Sequence, residues 1–297
     1  MLDFHKLTLD DIPLLKHYFI NKINRTCDFT IGGTFMWRDF FHTEYAITDD
    51  TLITKSIVHY ANNREVFTIP LGDNLEHAYD EISAYCSEKN IPLIFGTVTD
   101  EDLPELEKRF SCDKRVEPDW SDYLYNASDL IDLKGRHYSG QRNHINAFRR
   151  ENPDASYEVI THDNLDEVLS FYKGSDLIDS KESAVFHEEQ EKTIEVLEKY
   201  DTYGLVGGLI RTEGKIAAFS VGEIIGDTLY DHIEKADTTY NGIYQVIARD
   251  FPEHAVTPEV MYINREEDVG DEGLRRSKLS YRPCRILTKY TVRAIER

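Results

Sequence analysis

The sequence predicts an α+β chain in which one folding unit is used twice. Three observations carry this. The length, 297 residues, suits about two domains of ordinary size. Segments that read as helix, strand meander, helix, strand, helix, strand occur in the first half and again in the second. The two opening stretches also overlay: Phe4 on Tyr157, Thr8 on Thr161, Asp10 on Asp163, Ile12 on Leu165, Leu15 on Val168, Tyr18 on Phe171 and Phe19 on Tyr172. The expected division is an N-terminal domain over 1–126, a helical connector over 127–156 and a C-terminal domain over 157–297. Each domain should hold a mixed central sheet flanked by helices.

Residues 8–20 read as a helix, capped by Thr8, with Asp10 and Asp11 at the positive end of its dipole. Residues 41–69 read as three strands, because the turn pairs Asp49-Asp50 and Asn62-Asn63 separate apolar stretches. Over 73–90, Leu75, Ala78, Tyr79, Ile82, Tyr85 and Cys86 share one helical face. A buried strand at 91–99, a short helix at 100–110 and a strand at 120–126 complete the first half. Residues 127–151 read as helical. The second half offers helices at 161–174 and 184–200, strands at 203–210, 215–225 and 228–236, and a helix at 241–255. A strand around Tyr262, a helix at 271–280 and one or two final strands follow.

Composition narrows the function. Hydrophobic residues make up 40% and aromatics 11%, enough for a sizeable core. The net charge is −21, so the bulk field repels nucleic acid and anionic membrane. Any phosphate-bearing partner needs a local basic patch. Two segments supply one. Residues 134–150 hold five basic side chains and no acid, and 275–297 hold eight basic side chains against Glu296. No apolar run is long enough to span a membrane. The N-terminus lacks the pattern of a targeting peptide, and Cys27, Cys86, Cys112 and Cys284 are widely spaced. The expectation is a cytoplasmic chain with reduced thiols. Phosphate-loop, dinucleotide-loop, zinc-protease and serine-elbow motifs are absent.

The candidate site residues lie in four places. His232 and Glu234 alternate on one strand and share a face, so His232 is a candidate base or a structural histidine. Tyr240, Asn241 and Gly242 lead into a helix, where free N–H groups favour an anion or make an ordinary turn. Asn264, Arg265, Glu266, Glu267 and Asp268 follow a strand. Glu266 or Asp268 can accept the proton of an attacking amine, or cap the next helix. Lys278 and Arg142 are candidate anion ligands, joined by Asn143 and Tyr281.

The order of elements resembles the GCN5-related N-acetyltransferase fold. Longer stretches carry a closer resemblance: GRHYSGQRNHINAFRRENP (135–153), LYDHIEKADTTYNGIYQVIARDF (229–251) and MYINREEDVGDEGLRRSKLSYRP (261–283). These are similar to the phosphatidylglycerol lysyltransferase C-terminal-like family. The resemblance implies two tandem acyl-CoA N-acyltransferase (GNAT)-like domains, with the active site in the second. It implies aminoacyl transfer from aminoacyl-tRNA to an amine or hydroxyl of a lipid headgroup or peptide. Together with the residues' own chemistry, this makes Glu266, Asp268 and His232 the catalytic candidates and Arg142, Asn143, Tyr240, Asn241, Gly242, Asn264, Arg265, Lys278 and Tyr281 the donor-binding candidates. No metal and no tightly bound cofactor are implied; the co-substrate is aminoacyl-tRNA or acyl-CoA. The tRNA would lie on segments 134–150 and 275–297, and the acceptor is a small molecule or lipid headgroup. The alternatives are acetyl-CoA-dependent acetylation of a small amine, or a non-catalytic binding protein. The acetyl-CoA alternative lacks two usual marks. The pyrophosphate loop is incomplete around Gly242 and Tyr244, and Ser277 falls near the usual tyrosine acid.

Overall fold

The structure, a computed structural model, describes residues 2–20, 22, 24–58, 61–174 and 184–296. In chain order the first half holds β1 (His5–Lys6), α1 (Ile12–Phe19), α2 (Ile31–Met36), β2 (Glu44–Thr48), β3 (Thr51–Val58), β4 (Arg64–Phe67), β5 (Leu71–Gly72), α3 (Leu75–Glu88), β6 (Ile94–Val98), α4 (Leu103–Arg109), β7 (Phe110–Val116) and β8 (Asp122–Asn126). The connector holds α5 (Ala127–Asp132) and α6 (Ser139–Glu151). The second half holds β9 (Ser156–Val159), α7 (Leu165–Gly174), α8 (Ala184–Glu198), α9 (Tyr200–Tyr203), β10 (Val206–Thr212), β11 (Lys215–Ile225), β12 (Thr228–Ala236), α10 (Ile243–Ala255), β13 (Tyr262–Asn264), α11 (Glu272–Ser280), β14 (Arg285–Leu287) and β15 (Tyr290–Glu296). His59 and Tyr60, the expected end of the second meander strand, lie outside the described residues.

Two compact units emerge, with boundaries that differ from the expected ones. The first comprises Met1–Asp122, Glu267–Asp271 and Ile286–Arg297; the second comprises Tyr123–Glu266 and Glu272–Arg285. The last strand therefore belongs to the first unit, although the sequence places it in the second. In the first sheet, β15 lies between β6 and β7, in the order β1-β2-β3-β4-β6-β15-β7. Tyr290 opposes Val98 on one side and Val116 on the other. In the second sheet the order β9-β10-β11-β12-β13-β8-β14 gives β8 the matching place beside β13. Each half thus supplies the strand that completes the other half's sheet. A strand inserted between two others satisfies both rows of backbone donors and acceptors, which explains why so remote a segment is held.

Strand β7 was not expected. Its residues are mostly exposed and include Asp113, Lys114 and Arg115, so its alternation carries little apolar signal. The connector, expected to link domains, instead forms part of the second unit's core. Leu130, Ile145 and Phe148 pack in one cluster with Ile247 and Phe251 of α10.

The two units differ most where their parallel strands meet. In the first unit, β4 and β6 pair only at Phe67 and Phe95. Aromatic rings occupy that region: Phe67 lies against Phe4 and Tyr85, and Phe95 against Tyr79 and Phe110. In the second unit, β12 and β13 pair in parallel through Thr228–Tyr262, Leu229–Ile263 and Tyr230–Asn264, and there the pairing stops. Strand β12 continues to Ala236 against β11 alone. A bulge sits at this point: Gly222 opposes Asp231 and Val221 opposes Ile233, so His232 has no partner on β11. Gly222 permits the bulge, since a Cβ there would stand 2.1 Å from the Tyr230 carbonyl oxygen. Gly222→Ala is expected to cost about 1–3 kcal/mol, the range for an overpacked interior. Thermal unfolding checks this, and an unchanged melting temperature would count against the bulge as a fixed feature.

Candidate functional site

The place where β12 parts from β13 is lined with charge. His232, its side chain 1% exposed, sits between two carboxylates. Its Nε2 is 2.9 Å from Glu223 Oε1 on β11, and its Nδ1 is 2.7 Å from Glu266 Oε1 just after β13. Burial alone would lower the imidazole pKa; hydrogen bonds to Glu223 and Glu266 outweigh it and raise it to about 10. His232 is therefore already protonated at neutral pH. The role of free base expected for it is corrected to that of a buried cation.

Glu266 is the member of this row nearest solvent, 19% exposed against 7% for Glu223. Its backbone is left-handed, with φ of 54°. Such a conformation costs a non-glycine residue about 1–3 kcal/mol and persists only where neighbours impose it. Asn264, fully buried, accepts the Glu266 N–H at 2.7 Å, and the Tyr123 N–H donates to the Glu266 carbonyl at 3.2 Å. The asparagine of the Asn-Arg-Glu motif therefore aims the glutamate.

Arg265 points the other way along the same gap. Its Nη2 donates to both oxygens of Glu234, at 3.0 and 3.1 Å, and its guanidinium lies 5.1 Å from the centre of the Tyr281 ring. Asp231, which accepts from Ser220 at 2.6 Å, completes the group. Burial and the Glu234 charge push the Asp231 carboxyl up to about 7, against the pull of Arg265. Lys278 is buried and donates to the Arg265 carbonyl at 2.5 Å, and Tyr125 donates to the Lys278 carbonyl at 2.8 Å. Burial pushes the Tyr281 hydroxyl up to about 12. Four carboxyl groups thus stand with three cations, His232, Arg265 and Lys278, and Asp231, pushed up to about 7, carries only part of its charge at neutral pH.

Other expected residues lie apart from this group. Arg142 donates to the Leu133 carbonyl and, at 2.7 Å, to the Gly135 carbonyl, so it closes the end of α5 rather than binding a donor. Asn143 is exposed on α6. Asp268 falls in the first unit, where it is fully buried and accepts the Gly270 N–H at 2.9 Å. It shapes a turn rather than lining the gap. Tyr240, Asn241 and Gly242 do precede α10, but α6 meets that helix start. A Cβ on Gly242 would stand 2.5 Å from the His144 carbonyl oxygen, and Tyr240 packs against Phe148. A carbonyl oxygen at this point opposes the pyrophosphate of an acyl-CoA.

The basic segments meet only in part. Tyr138 donates to the Tyr281 carbonyl at 3.0 Å and Gln141 to the Ser280 carbonyl at 3.1 Å, so α6 lies against the end of α11. Arg136, Arg150 and Arg282 are exposed and make no ion pair among the described residues. The stretch after Arg285 departs to the first unit, and Arg297 lies outside the described residues. There Lys289, 1% exposed, is enclosed by acids. Its Nζ is 2.6 Å from Asp122 and 2.8 Å from Asp28, with the Cys27 sulfur at 3.6 Å. The Cys27 thiol donates to Glu267 at 3.1 Å. Burial pushes Asp28 up to about 6 despite Lys289.

Glu223, Asp231, Lys289 and Asp122 were not foreseen as partners. Glu223 left one signal: an acid inside the strongly apolar run Ala217–Ile225.

Comparison with known proteins places this architecture. A family model described as phosphatidylglycerol lysyltransferase, C-terminal, matches residues 21–293. The chain belongs to that family. A conserved protein of unknown function from Bacteroides thetaiotaomicron is 31% identical, with a TM-score of 0.88 and 100% of each chain covered. L-PGS from Bacillus licheniformis is 16% identical, with a TM-score of 0.64 over 94% of this chain and 90% of that one, and shares the fold. An uncharacterized protein of Mycoplasmoides gallisepticum is 23% identical over 176 residues, which span 59% of this chain and 56% of that protein. Mixed sheets flanked by helices are the fold of this lysyltransferase C-terminal family member. No helix among its described residues is long and apolar enough to cross a membrane.

Proposed function

We propose that this family member is an aminoacyltransferase that moves an aminoacyl group from charged tRNA to an amine or hydroxyl acceptor, with its site in the second unit. The observation that carries the reading is the opened β12–β13 pair with Glu266 held in a strained turn at its rim. The acceptor attacks the ester carbonyl of the donor. Glu266 takes the proton that the acceptor loses, and returns one to the departing ribose oxygen. The N–H groups along the unpaired edge of β12 are the donors available to the developing oxyanion. The partly exposed Glu266 carboxylate is the group that draws the ammonium of the aminoacyl group or the acceptor. The exposed Arg136, Arg150 and Arg282 supply the basic surface for tRNA phosphates. The family supports this donor, and the His144 carbonyl at the start of α10 weighs against acyl-CoA.

Ligand protection tests the donor. Aminoacyl-tRNA at about 100 times its Kd should add roughly 2.7 kcal/mol of stability, and coenzyme A should add none. Protection by coenzyme A without protection by tRNA would reverse the assignment.

A further inference from the structure

We infer that Glu223 and His232 are positioning residues, a buried carboxylate and imidazolium that fix the direction of the Glu266 carboxylate. The inference rests on the reading of Glu266 as the proton acceptor. An imidazole has two ring nitrogens, and a neutral ring can donate from only one. Here both nitrogens lie within 3 Å of a carboxylate oxygen. Two donors are therefore needed, and the doubly protonated ring supplies them. Its two charge-assisted bonds are stronger and more directional than neutral ones. One of them takes Glu266 Oε1, leaving Oε2 without a hydrogen bond among the described residues on a side chain that is 19% exposed.

The backbone is arranged to the same end. The bulge gives His232 no strand partner on β11, Gly222 admits it, and the Tyr230 ring lies parallel to the imidazole at 6.4 Å. Glu223, which opposes Tyr230 on β11, closes the inner end. The other charged groups near the ring are Asp231 and Glu234 on β12 and Arg265 after β13. Arg265 and Glu234 neutralise each other, and Asp231 bonds to Ser220. Loss of the Glu223 charge should leave the ring with one carboxylate, a weaker hold on its second proton and a less rigid Glu266.

Two readouts test this on the full chain. Nitrogen NMR of labelled histidine needs no substrate. The His232 ring should remain doubly protonated through neutral pH and release its proton near pH 10. In Glu223→Gln that release should move at least about one pH unit lower. A ring that titrates in the ordinary histidine range, or that ignores Glu223→Gln, overturns the inference. The second readout is steady-state transfer from charged tRNA. Glu223→Gln should lower kcat about tenfold with the donor KM within about twofold, and Glu223→Asp should recover part of the loss. Unchanged kcat beside a lowered melting temperature would make Glu223 merely structural and overturn the positioning role. A wild-type chain that transfers nothing would instead defeat the functional reading, while the NMR titration still decides the state of the ring.

Discussion

Glu266→Gln is expected to lower the rate of acyl transfer by about 10²–10⁴-fold, the usual worth of a positioned proton acceptor. The substitution keeps the shape of the side chain. A glutamine oxygen can still accept from His232 Nδ1, and the Asn264 bond to the main-chain N–H is untouched. The fold should survive, and the melting temperature should stay within a few degrees. The loss should fall on kcat, because the proton moves in the transition state and not on binding. Single-turnover kinetics separate the two. A rate within about threefold of wild type would remove Glu266 from the chemistry.

Lys289→Met is expected to destabilise the protein more than any surface change, by about 3–5 kcal/mol. The ammonium is the cation among Asp28, Asp122 and the neighbouring Cys27–Glu267 pair. Its removal takes the paired ammonium from the buried Asp122 and Asp28, and it loosens the strand that completes the first sheet. The penalty should shrink in acid. Asp28, already pushed up to about 6, takes a proton by pH 5 and no longer needs the lysine. Denaturant unfolding at pH 8 and pH 5 measures the difference. Lys289→Arg, which keeps a cation, should recover most of the stability. Equal stability of Lys289→Met and wild type at pH 8, or a deficit that does not narrow at pH 5, would contradict this account.

The local signals in the chain were sound wherever apolar spacing governed structure. The face of α3 and the three strands β10, β11 and β12 followed their patterns, because burial of one face decides both. The exchange of β8 and β15 left no such signal. A strand pattern specifies which face is buried, and not which sheet receives the edge. Strand β7 was hidden because its exposed charges carry no periodicity.

The site was legible to the same degree. The motif around Asn264, Arg265 and Glu266 was visible as a dense run of polar groups after a strand, and the structure sets His232 beside it. Its partner Glu223 lies 43 positions before Glu266 in the sequence and is joined to it only through His232. Arg142 and Asp268 were drawn in by their charge and by the motifs that hold them. The structure uses the first to close a helix and the second to form a turn. Charge type marks residues fit for chemistry, but a hydrogen-bond partner on the main chain can engage the same group fully.

The most direct measurement follows a radiolabelled aminoacyl group on charged tRNA in the presence of membrane lipids and amine acceptors. Wild-type protein should move label into an acceptor, while Glu266→Gln should leave it on the tRNA. Label that stays on tRNA with wild type, or that leaves equally fast with both proteins, would contradict it.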